Sequence, residues 1–232
     1  MTNEILELGE IEVEGRLVDA SNATLFVTIT LNGETVQAIY KPIAGERPLW
    51  DFPDGNLASR ERASYLISQA LDIRCIPHTI LRDGPFGIGA VQQWIDVDED
   101  VDLESYFRRD LPELRAVALL DAVLNNTDRK IGHLLPSTNG NLYVCDHGVT
   151  LHTDNKLRTV LWQWAGEPLT DSELSQMKNF LTFLDSAESG EIRTLITNDE
   201  FVALRLRVVE LIAQASFPEP NPEWPHIPWP PF

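Results

Sequence analysis

The sequence predicts an α+β chain of two lobes, an antiparallel N-terminal sheet with one helix followed by a mainly helical C-terminal lobe. Three observations predict it. Apolar residues alternate through the opening segments, an acidic run DVDEDVD separates the halves, and beyond it the apolar period becomes helical. The expected boundaries are 1–95 and 96–217, with a Pro- and Trp-rich tail over 218–232.

In chain order, IEVEGRLVDA, ATLFVTITL and ETVQAIYKP read as three strands, and Asn32-Gly33 supplies a tight turn between the second and third. A Pro- and Gly-rich stretch from Pro42 to Gly55 follows. Asn56 is placed to cap a helix over LASRERASYLISQAL, whose apolar stripe is Ala63, Leu66, Ile67 and Ala70. IPHTIL and GIGAVQQWI read as two further strands. Past the acidic linker, LPELRAVALLDAVLN has helical spacing and stops at Asn125-Asn126-Thr127-Asp128. HLLPS and NLYVCD form hairpin arms around Thr138-Asn139-Gly140. Thr170 with Glu173, and Thr197 with Glu200, are capping boxes that open two later helices.

Composition narrows the function classes. Against 18 Lys and Arg stand 36 Asp and Glu, a net charge of -18 that repels nucleic-acid backbones and anionic lipid surfaces. The N-terminal MTNEILELGE has no basic or apolar signal region, and no apolar run is long enough to span a bilayer, so a cytoplasmic protein without integral membrane association is expected. The two cysteines, Cys75 and Cys145, are too few for a disulfide framework or a thiolate zinc site.

Two acidic points carry the chemistry. Asp128 follows a helix in NNTDRKIGH and Asp146 ends a strand in VCDHG, so the intervening hairpin can bring both carboxylates to one cleft. Such oxygen ligands suit Mg²⁺, which takes few protein carboxylates and completes its octahedron with water and phosphate oxygens. An Asp in a helix-to-strand loop is also commonly a cap or turn former. Lys41 closes the third strand, after a hairpin whose first connection, Asp19-Ala20-Ser21-Asn22, can turn backbone N–H groups toward phosphate. A Lys at a strand end is often simply solvated. The order favours the chemical reading: phosphate loop, Lys41, helix with Glu61, strand, linker, Asp128, Asp146.

The stretches AIYKP, RERASYLISQAL, GIGAVQQWI, NNTDRKIGHLL and VCDHG together resemble the phosphatidylinositol 3- and 4-kinase-like branch of the kinase superfamily, and HipA-type serine kinases are similar at the same points. Over its whole length, including KLRTVLWQWAGEPL and WPHIPWPPF, the chain is similar to a small actinobacterial branch of that family. The resemblance implies a protein-kinase-like fold and an ATP-dependent phosphotransferase using Mg²⁺ or Mn²⁺ on an alcohol-group acceptor. It implies that Lys41 contacts the nucleotide phosphates, Glu61 orients Lys41, and Ser21 and Asn22 line the phosphate loop. Gln92, Gln93 and Trp94 then join the lobes and meet the adenine. Asp128 is the catalytic acid, and Asp146 holds the metal at the head of Asp-His-Gly. His133 stands where the family pattern has a metal-ligating Asn, and imidazole suits Mn²⁺ better than Mg²⁺.

Two features pull against that picture. The helical wheel places Glu61 off the apolar stripe and Arg60 nearer its edge, and the phosphate loop contains no glycine. A nucleotide-binding pseudokinase acting as an interaction module is therefore the alternative. Arg129 and Lys130, beside Asp128, are expected to hold an acceptor phosphate or offset local acidity. The acceptor is unknown, with a protein or soluble small molecule favoured over a lipid. The tail's Trp224, Trp229 and Phe232 are expected to pack on the domain.

Overall fold

A computed structural model describes residues 2–17 and 23–232. The alternating segments become β1 (Glu10–Arg16), β2 (Leu25–Leu31) and β3 (Glu34–Pro42). Asn32 and Gly33 both take positive φ, 53° and 85°, as a two-residue turn matched to strand twist requires. Later in the chain β4 (Thr79–Gly84) and β5 (Gly87–Gln93) complete an antiparallel sheet of order β1-β2-β3-β5-β4.

A helix not expected from the sequence, α1 (Thr2–Leu8), covers the sheet with Ile5 and Leu6. They share a small core with Val27, Ile29, Ala38, Tyr40 and Val91. The next helix, α2 (Leu57–Ala70), is capped by the Asn56 side chain, which accepts the Ser59 N–H at 2.7 Å. Glu46 adds to the cap, its carboxylate accepting the Leu57 and Ala58 N–H groups at 2.9 and 2.8 Å. Ala63 and Ile67 bury fully, but so do Arg60 and Glu61, at 2% exposure each. The helix is packed on several sides, and a single apolar stripe could not report that.

The second half contains α3 (Leu103–Tyr106) and α4 (Pro112–Leu124), the hairpin β6 (Leu134–Pro136) and β7 (Leu142–Val144), and then α5 (Asp171–Leu184), α6 (Gly190–Leu195) and α7 (Asn198–Gln214). Thr170 with Glu173 and Thr197 with Glu200 form the reciprocal capping boxes that start α5 and α7, each contributing about 1 kcal/mol. Leu114, Val117, Leu120 and Leu124 of α4 join Phe180, Leu204 and Val208 in the larger core. Arg60 crosses to that half. Its Nε and Nη2 donate to Glu200 Oε1 at 2.9 and 2.6 Å, tying α2 to the start of α7.

Candidate functional site

The alternation of β3 sends Tyr40 into the sheet core and Lys41 to the opposite face, toward the helical half. Lys41 Nζ pairs there with Glu61 Oε1, and with Asp146 Oδ1 at 3.0 Å. Burial alone depresses the Lys41 ammonium, but the Asp146 and Glu61 carboxylates outweigh it and hold the group well above an ordinary lysine. Lys41 in turn holds the Asp146 carboxyl well below the usual range. Both stay charged. The second oxygen of Glu61 accepts the His147 N–H at 3.1 Å, so Glu61 fixes the lysine and the backbone just beyond Asp146 together. Asp146 has φ 61°, a left-handed conformation that costs a non-glycine residue of order 1 kcal/mol.

Asp128 lies across the same cleft, a space of about 410 Å³ lined by Lys41, Glu61, Asp128, Lys130, His133 and Asp146 among others. Burial raises the Asp128 carboxyl above its ordinary value, opposed by Lys130, and Asp146 raises it further. Lys130 Nζ stands 3.6 Å from Asp128 Oδ2. A larger hollow of about 600 Å³ lies elsewhere, between Asp72–Cys75, α4 and Tyr143. Its Arg115 is already committed to Glu167 and Glu173, so the chemistry favours the smaller cleft.

Protein Rv2133c of Mycobacterium tuberculosis (strain ATCC 25618 / H37Rv) is 40% identical over 263 aligned positions, which cover 98% of this chain and 94% of that protein. This chain belongs to the Rv2133c family. No family model matches it. A crystal structure of the Golgi casein kinase superposes with a TM-score of 0.52 at 12% identity, over 95% of this chain and 78% of that one. Another, with Mn/ADP bound, superposes with a TM-score of 0.53 at 12% identity, over 92% and 75%. The fold is protein-kinase-like.

In this member of the Rv2133c family, the His133 imidazole has its Nδ1 3.4 Å from the Lys130 N–H and its Nε2 3.6 Å from Asp146 Oδ2. Accepting at Nδ1 leaves the proton on Nε2, facing the carboxylate. Burial pushes the group down to about 4, so it is neutral. To ligate a cation through Nε2, the ring must move its proton to Nδ1 and give up the weak Lys130 contact. Among the described residues no three His, Cys, Asp or Glu side chains gather as a metal-binding group. The donor set fits an ion that needs one or two protein ligands and takes the rest from phosphate and water, as Mg²⁺ does.

The remaining predicted residues lie apart from that cleft. Gln92 is buried, its Nε2 donating to Thr79 Oγ1 at 2.8 Å. The Gln93 N–H is taken by the His78 carbonyl at 2.9 Å and the Trp94 N–H by the Gln37 carbonyl at 3.1 Å. Trp94 packs edge-on against Phe26. Ser21 and Asn22 lie outside the described residues.

Arg129 corrects the expectation that it reaches an acceptor. It is fully buried and turned inward, with Nε and Nη2 on Asp121 at 3.0 to 3.2 Å and Nη1 on the Cys145 carbonyl at 2.8 Å. Its Nη2 also stands 2.7 Å from His147 Nε2, which must accept. Asp121 further accepts from Asn126 Nδ2 at 2.9 Å and Thr159 Oγ1 at 3.1 Å. Asn126 Oδ1 then accepts the Asp128 N–H at 3.0 Å. One buried carboxylate thus organises both segments that carry the cleft acids. A charge inside the apolar run AVALLDAVL was the sequence signal for it, because a buried Asp demands a partner.

Proposed function

We propose that this chain is an ATP- and divalent-metal-dependent phosphotransferase of the lipid-kinase-like and HipA-like type. The observation that carries the reading is Lys41 held between Glu61 and Asp146 in the cleft that contains Asp128. In phosphoryl transfer the protein chiefly positions groups and neutralises charge. Lys41, fixed by buried Glu61, offers its ammonium to nucleotide phosphates. Asp146 would hold Mg²⁺ or Mn²⁺, with His133 as the neighbouring ligand once its proton has moved, and the ion would supply charge neutralisation for the phosphates. Asp128, with its carboxyl raised by burial, accepts or orients the proton of the acceptor hydroxyl. Lys130 balances charge beside it.

The acceptor hydroxyl belongs to a protein or a soluble small molecule. A net charge of -18 disfavours an anionic membrane, and no helix of the described residues is long and apolar enough to cross one. Gln92, Gln93 and Trp94 remain our candidates for the adenine side, through carbonyls and edges rather than the N–H groups spent in the sheet. A pseudokinase that binds nucleotide as an interaction module is favoured by one observation, the His133 Nε2 turned to Asp146 Oδ2 at 3.6 Å where a metal would sit between them. Mass spectrometry of the protein after incubation with ATP and Mg²⁺ or Mn²⁺, compared with Asp128→Ala, separates the two. Phosphate gained by the parent and lost in the variant supports transfer; equal spectra with retained ATP binding support the pseudokinase.

A further inference from the structure

We propose that the Pro-rich tail is a positioning element for Asp128, clamping the loop that carries it. This rests on the phosphotransferase reading above. The segment from Asn126 to Lys130 lies between α4 and the 3-10 turn that Ile131 opens, with only a single bridge from Arg129 to Thr159 as regular structure. One flank is secured by a short ladder: Arg158 N–H to the Asn126 carbonyl at 2.8 Å, Arg129 N–H to the Arg158 carbonyl at 3.0 Å and Val160 N–H to the Arg129 carbonyl at 3.2 Å. The Val149 carbonyl holds Thr127, Asn126 Oδ1 holds the Asp128 N–H, and the tail secures the far end of the loop. The Pro231 carbonyl accepts the Ile131 N–H at 2.8 Å at the end of the loop, and the His226 carbonyl accepts the Thr159 N–H at 3.0 Å on the outer side of the ladder. Pro225 and His226 carbonyls also accept Arg158 Nε and Trp162 Nε1, at 3.0 and 2.9 Å.

Every one of these contacts uses a tail carbonyl. A chain of seven prolines in its last fifteen residues has few N–H groups of its own to satisfy and an extended row of free acceptors. It suits an irregular loop whose orphan groups are donors. Its rings contribute unequally: Trp224 is half-buried beneath Lys156 and Arg158, whose cations stand 5.3 and 5.1 Å from its ring centre, whereas Trp229 is 89% exposed and Phe232 57%, although Phe232 lies against Gly132. At the loop of Asp128 the tail is therefore held by its backbone, while of the three rings expected to pack on the domain Trp224 does so and Trp229 and Phe232 stay largely exposed. Displacement of a reacting group by about 1 Å can cost a hundredfold in rate. None of the tail's hydrogen bonds goes to Lys41, Glu61 or Asp146, which are held by one another, whereas His133 lies in the turn that Ile131 opens.

The test compares the full chain with one ending at residue 228, and with Ile131→Pro and Ile131→Val. Ile131 opens a 3-10 turn after an extended Lys130, φ -97° and ψ 165°, so proline fits there and removes only the donor and part of the side chain; valine keeps the donor. We expect the shortened chain to lose amide protection over 126–131 and to turn over ATP at least tenfold more slowly, with KM for ATP within about twofold of the parent. Ile131→Pro should show the same kcat loss and Ile131→Val should stay near the parent. A shortened chain with parental kcat, or with unchanged protection at 126–131, overturns the clamp. If the full chain transfers no phosphate at all, the phosphotransferase reading fails instead, and the amide exchange alone decides whether the tail holds the loop.

Discussion

Lys41 shows how much one side chain's chemistry depends on its neighbours. With Glu61 and Asp146 both on its ammonium, replacing it by methionine keeps the stem's packing but removes the charge offered to phosphate. Lys41→Met should weaken ATP binding about tenfold or more, as read by calorimetry, with a melting temperature close to the parent. His133→Asn should shift the Mn²⁺ to Mg²⁺ preference of nucleotide binding toward Mg²⁺, because an amide oxygen is the harder ligand; an unchanged preference would leave His133 as the side chain that merely bonds the Lys130 backbone. Asp121 carries the largest structural effect. Asp121→Ala leaves the fully buried Arg129 guanidinium unpaired, which costs about 3–5 kcal/mol. Chemical denaturation should read a loss of that size. That Asp128 and Asp146 would share one cleft with Lys41 was legible because each lies at or just beyond the end of a clearly periodic element. The Asp121–Arg129 pair was not, since nothing in linear order says which cation a buried carboxylate will meet.

At the scale of elements, α2 is the piece whose behaviour differs most from its pattern. Its apolar stripe was readable, and Asn56 caps it, but periodicity sees one face while the helix meets the cleft through Glu61 and α7 through Arg60. Arg60→Met should therefore unpair buried Glu200 and destabilise the protein by about 3 kcal/mol, or roughly 6–12 °C in melting temperature for a chain of this length. A shift under 2 °C would mean that the two helices are held together by their apolar contacts alone. The hairpin of β2 and β3 and the capped helices α5 and α7 were legible because turn and cap chemistry is local. By contrast, α1 was missed, because seven residues give too few turns for a period to register.

On the scale of the whole molecule, the two-lobed α+β order was legible from the change of period alone, while which helix faces which depended on long-range ion pairs. Acid sensitivity also belongs here. His78, its Nδ1 2.9 Å from the Tyr65 hydroxyl, is lowered below the ordinary 6.5 by burial and by Arg62, and buried His147 is lowered further by burial and Arg129. The unfolded chain takes up protons near pH 6.5 that the folded chain refuses, so this contribution to stability is complete above that pH and declines as pH falls below it. The melting temperature of His78→Gln should accordingly fall less between pH 7 and pH 5 than that of the parent; equal falls would remove His78 from the account. The central claim, that the cleft of Lys41, Asp128 and Asp146 binds a metal–nucleotide complex, is tested most directly by calorimetric titration of ATP with and without Mg²⁺ into the parent and Asp146→Asn. The account predicts that affinity depends on the metal in the parent and that this dependence is lost in the variant, which keeps its fold. Equal metal-dependent affinity in the two proteins would contradict it.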